Sequence, residues 1–95
     1  MEMHVAVCTI ELFLPSAESL KGKRHTLRSV IERIRSRVNA SVAETDYQDT
    51  WQRAVIGVAM VSSSKVLLDK QITLIRRIVD DCAEAETVSF SVEYV

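Results

Sequence analysis

The stretch from Ser19 to Val38, SLKGKRHTLRSVIERIRSRV, decides how the rest of the chain must be arranged. Leu20, Leu27, Ile31, Ile34 and Val38 fall on one stripe of a helix at about 100° per residue, with Val30 at its edge. Such a stripe has to be covered, and a sheet covers it. Seven of the twelve Lys and Arg lie here (Lys21, Lys23, Arg24, Arg28, Arg33, Arg35, Arg37) against the single carboxylate Glu32. Seven bases against one acid give the stretch +6, and five bases against twelve acids leave −7 elsewhere, a layout that the net charge of −1 conceals.

On the N-terminal side, His4 to Leu14 (HVAVCTIELFL) alternates as a strand that Pro15 ends. Thr9 and Glu11 share one set of alternate positions with Val5, Val7 and Phe13. That set is expected on an open sheet face, with Ile10 and Leu12 turned toward the helices. Ser19 is the expected N-cap of the helix; Gly22 in its first turn costs about 1 kcal/mol of propensity and leaves a start nearer Gly22 open. On the C-terminal side, Ser41 to Asp46 (SVAETD) and Arg53 to Val61 (RAVIGVAMV) read as two further strands joined through Tyr47 to Gln52. The second of these is apolar on both faces and belongs in the middle of a sheet, with Gly57 marking a bulge or a close backbone approach. A second helix follows the cap candidates Ser62 to Ser64, burying Leu68, Ile72, Ile75, Val79 and Cys82, with Leu67, Leu74 and Ile78 flanking. Thr87 to Val95 (TVSFSVEYV) alternates cleanly as the last strand, with Val88, Phe90, Val92 and Tyr94 on one face.

The order βαββαβ predicts an α+β, ferredoxin-like fold over residues 1–95 as one domain. It has a four-stranded antiparallel sheet with both helices on one face, and right-handed crossovers place the first and third strands in its centre. No apolar run approaches the roughly 20 residues of a membrane-spanning helix. Glu2 and the lack of a basic stretch before an apolar one speak against a secretory leader, so the expected compartment is the cytoplasm. Cys8 and Cys82 are expected as free, buried thiols. His4 and His25 have no Cys or carboxylate at ligand spacing, so neither a metal nor any other cofactor is expected. With only Gly22 and Gly57, there is no phosphate-cradling glycine loop, and no nucleophile motif is present. His25 reads as a solvated surface residue, and the chain as a non-enzyme.

Two features carry chemistry. Lys21, Arg24, Arg28 and Arg35 lie within about 60° of arc on one flank of the helix, with Lys23, Arg33 and Arg37 on the other. Lys21, Lys23, Arg24, Arg28 and Arg35 are the expected nucleic-acid contacts, binding phosphates with strong salt dependence. The bland alternative is a solvated helix that answers the acidic remainder of its own chain. The second feature is AETDYQDTWQR, from Ala43 to Arg53, where Glu44, Asp46, Gln48, Asp49, Trp51 and Arg53 form a polar hairpin expected to make interactions. Glu44 and Asp46 are expected on one side of their strand, able to hold a cation or accept arginines from another chain. A self-contained hairpin, with Glu44 or Asp46 paired to Arg53 and Trp51 packed as an anchor, is the simpler reading. Joining the two features, the acidic hairpin of one copy meeting the basic helix of another would give a homo-oligomer.

SLKGKR at Ser19 to Arg24, SVAETDYQDTWQRAVIGVA at Ser41 to Ala59 and ELFLP at Glu11 to Pro15 together resemble the YlxP-like family of small bacterial proteins. The resemblance covers essentially the whole chain. It implies a ferredoxin-like domain and, through the translation and ribosome-maturation factors commonly encoded beside its members, ribosomal RNA or ribosome precursors as partners. Gly22 departs from the helix-forming residue that relatives usually carry there.

Overall fold

A computed structural model describes residues 2–95. The elements are β1 (His4–Phe13), α1 (Leu20–Arg37), β2 (Ser41–Asp46), β3 (Arg53–Ser62), α2 (Lys65–Asp80) and β4 (Glu86–Tyr94). The sheet is antiparallel in the order β2-β3-β1-β4, so the first and third strands are central and β2 and β4 are its edges. This is the expected βαββαβ architecture. Ala6, Cys8, Ile10 and Leu12 of β1 and Ala54, Ile56, Val58 and Met60 of β3 are buried under both helices. The alternate positions, from Val5 to Phe13 and from Arg53 to Val61, form the open face.

Ser19 does cap α1: its hydroxyl accepts from the Gly22 amide at 3.0 Å. A methyl group at Gly22 would approach that hydroxyl to 3.3 Å, so the glycine that weakens the helix also leaves room for its cap. Ser64 caps α2 in the same way, accepting from the Leu67 amide at 3.2 Å. The buried line of α1 is Lys23, Leu27, Val30 and Ile34, rotated from the expected stripe, so that Leu20 and Ile31 are only half-buried. In α2, Ile78 joins the core, whereas Cys82 lies beyond the helix and is half-buried.

Both edge strands are bulged. Between Glu44 and Asp46 the register against β3 slips, leaving Thr45 unpaired; between Glu11 and Leu12 the register against β4 slips, leaving Val88 unpaired. A bulge adds one residue and breaks the alternation. Val88 therefore stands 57% exposed instead of joining Phe90 and Val92 against the core. Thr87 takes the helix side, its hydroxyl donating to Asp80 Oδ1 at 2.9 Å. Tyr94 crosses the rim to α2, where its hydroxyl donates to Asp69 Oδ1 at 2.5 Å and Lys65 lies over its ring. The glycine expectation is met next door: a methyl group at Gly57 would come within 3.0 Å of Thr45 Cγ2, so its bare backbone makes room for the β2 bulge.

Candidate nucleic-acid interface

Lys23 does not belong to the basic surface. It is fully buried, and Nζ donates to the carbonyls of Tyr47 at 2.6 Å and Arg53 at 3.1 Å. Glu44 Oε2 lies 2.9 Å from the same ammonium, near enough for charge pairing although it is not aligned for a hydrogen bond. The first turn of α1 is thus pinned to both ends of the β2–β3 connection. An ammonium enters a core only where oxygens replace its water, and these three do so.

The hairpin departs from expectation because of the same bulge. With Thr45 extruded, Glu44 pairs with core-facing Ile56 and Asp46 with Val55 of the open face, so the two carboxylates lie on opposite faces. Asp46 Oδ1 accepts from the Tyr47 amide at 2.8 Å, supporting a tight turn in which Tyr47 has φ +59°. Arg53 pairs with neither; it donates to Glu11 across the open face and stacks 4.6 Å over the Tyr47 ring. That bond raises the Arg53 pKa. Trp51 is 51% exposed and is not a packed anchor. Gln48 and Asp49 are exposed at the tip, and Gln52 reaches back to donate to the Pro15 carbonyl at 3.0 Å.

The remaining cations of α1 face solvent: Lys21, Arg24, Arg28, Arg33, Arg35 and Arg37 are all exposed. The ion pairs among the described residues are His4–Glu2, Lys23–Glu44, Arg53–Glu11 and Lys65–Asp69, so none of the six has a carboxylate partner. Arg35 is tethered differently, donating to the Val42 carbonyl of β2 at 2.7 Å. His25, Arg28, Ser29, Glu32, Arg33 and Ser36 line a shallow depression on the outer side of the helix. A groove of about 430 Å³ runs between α1 and β2, with Arg24, Arg28, Glu32 and Arg35 at its rim and Leu27, Ile31 and Val42 within it. Sequence reasoning missed this groove, because its floor needs the edge position of β2. Ile31, which spacing alone puts on the buried stripe, is half-buried here and lines the groove.

The two cavities that His25 lines include none of the hairpin carboxylates Glu44, Asp46 and Asp49. Cys8 and Cys82 are both free thiols, and burial pushes both pKa values up. No helix among the described residues is long and apolar enough to cross a membrane.

Residues 5–92 match the family described as "Protein of unknown function (DUF503)". The uncharacterised protein YlxP of Bacillus subtilis (strain 168) is 40% identical over 76 residues, which span 80% of this chain and 83% of the relative. The fold is similar to that of the de novo designed protein Foldit4, with a TM-score of 0.59 at 14% identity over 99% of this chain and 97% of that one. It is also similar to a de novo designed protein with a ferredoxin fold, with a TM-score of 0.50 at 15% identity over 97% of this chain and 82% of that one. The likeness to the designed chains fixes the fold alone, while the family match and the identity to the Bacillus subtilis protein fix the lineage: the chain belongs to the DUF503 family, that of the YlxP-like proteins.

Proposed function

We propose that this protein is a non-catalytic module that binds RNA through the solvent face of α1, with ribosomal RNA or ribosome precursors as its target. The observation that carries the reading is the set of six exposed α1 cations without a carboxylate partner. A helix that merely balanced the acidic remainder of its chain would spend those cations on intramolecular pairs. Phosphates neutralised by such a row release counterions, so affinity falls steeply with salt, with a slope of about −0.7 per phosphate on single strands. The ribosome as target rests on the family's genetic neighbourhood; the cationic face supports a polyanion.

The test is co-sedimentation with ribosomal subunits and their precursors over a salt series, comparing the native chain with an Arg24→Glu, Arg28→Glu, Arg33→Glu variant. Arg35 is left intact because it also holds β2. Salt-sensitive association that the reversal abolishes is the expected result, and association that survives the reversal overturns the reading. Self-association over the open sheet face is the second reading, favoured by Val61 at 54% and Phe13 at 36% exposure. Light scattering that gives a monomer over a wide concentration range removes it.

A further inference from the structure

We infer that the groove between α1 and β2 receives the base of an unpaired nucleotide while Arg24 and Arg28 hold its flanking phosphates. This rests on the RNA reading above and specifies which RNA the face selects. The groove adds an apolar surface to the cations, which the depression on the outer side of the helix lacks. Its floor is aliphatic, from Leu27, Ile31 and Val42, and its rim carries three guanidiniums. Its volume of about 430 Å³ is within the range of small-ligand sites, roughly 300–1,000 Å³. Arg28 and Glu32 line both this groove and the depression on the outer side of α1, so a strand bound along the outer cations reaches the groove without leaving the helix.

The occupant's orientation follows from the charges. Glu44 stands at the β2 side of the groove and Glu32 on its helix rim, and both carboxylates repel a phosphate beside them, Glu44 even with Lys23 next to it. The phosphate therefore sits at Arg24 and Arg28, and the uncharged base lies toward Val42 and Ala43. Arg35, fixed by its bond to the Val42 carbonyl, gives the base a guanidinium plane already held in place. That bond also argues against the rival occupant, an extended peptide added to the edge of β2, because it occupies an edge carbonyl that such a strand needs. Duplex RNA keeps its bases stacked inside, whereas unpaired bases are splayed onto protein surfaces and guanidinium planes.

The test is fluorescence anisotropy with two labelled RNAs of equal phosphate count, one unstructured and one a closed hairpin. The native protein is expected to bind the unstructured RNA more tightly, by about fivefold, as suits one base held against a guanidinium plane and aliphatic side chains with no aromatic ring beneath it. Ile31→Ser leaves the charge unchanged, so it is expected to erase that preference while the salt slope stays. Equal affinity for the two RNAs, or a preference that survives Ile31→Ser in a variant with native circular dichroism, overturns the groove but leaves α1 as an RNA contact. Binding of neither RNA overturns both readings. Should Ile31→Ser fail to fold, methyl NMR of the native protein decides. Shifts at Leu27, Ile31 and Val42 with the unstructured RNA alone support the groove, and shifts absent from these methyls overturn it. A polyglutamate peptide that moves the same methyls and displaces the RNA assigns the groove to a protein partner and also overturns the inference.

Discussion

Replacing Lys23 with Met tests the description of α1 more sharply than any surface change. Met keeps the length and apolar stem of the side chain and removes only the ammonium. Three oxygens lose their partner: the carbonyls of Tyr47 and Arg53, and Glu44 Oε2, in a carboxylate whose side chain is 17% exposed. A buried ion pair stripped of one member costs about 3–5 kcal/mol, because the remaining charge is left uncompensated. The exposed fraction of Glu44 and water entering at the hairpin tip pull this toward the lower bound, so about 3 kcal/mol is expected. For a domain of this size that lowers Tm by roughly 12–24 °C. Urea unfolding at neutral pH reads it directly, as a lower midpoint with an unchanged slope. Adding Glu44→Leu to Lys23→Met should recover part of the loss, since it removes the stranded charge, and the cycle should give a coupling of at least about 1 kcal/mol. The alternative, Lys23 as one more solvent cation, predicts a change within about 0.5 kcal/mol. A loss that small, or additive single effects, refutes the buried pin.

Gly57→Ala drives a methyl against Thr45 and should destabilise by about 1–2 kcal/mol by urea unfolding, with most of the loss recovered by Thr45→Ser, which removes the opposing methyl. Val88→Ser should be neutral within about 0.5 kcal/mol, because the bulge has already turned that side chain to solvent. The Tyr94 hydroxyl, by donating to Asp69, lowers the Asp69 pKa, with Lys65 adding to the effect. A folded pKa below the unfolded one gives stability that is present above the unfolded value and lost as pH falls through the folded one. Tyr94→Phe should therefore narrow the gap between acid and neutral stability, and a carboxyl NMR titration should find Asp69 moved up toward the ordinary aspartate range.

The strand order and both helix caps were legible because they depend on local signals: alternation, a proline stop, and serines ahead of apolar stripes. What the sequence reading lost was set by pairing between distant strands. A bulge leaves no mark in a clean alternation such as TVSFSVEYV; only the register against β1 reveals that Val88 is the extra residue. The same holds for Thr45, and with it went the assignment of Glu44 and Asp46 to one face. Lys23 is a different kind of miss. Its spacing to Leu27, Val30 and Ile34 puts it in line with the core, but a lysine among six other cations reads as surface until Glu44 and two carbonyls are placed opposite. The exposed members of the basic face, by contrast, were visible from spacing alone.

The tether from Arg35 to the Val42 carbonyl bears on how the protein behaves at high concentration. A sheet with one bare face and two edge strands is a template for fibrils, since any unpaired edge invites a neighbour's backbone. Here one edge acceptor is blocked by a guanidinium, and each edge strand is kinked at an unpaired residue, so an incoming chain finds no uninterrupted ladder to copy. The arginine that walls the groove is thereby also a gatekeeper of colloidal stability, and selection on one of these properties acts on the other.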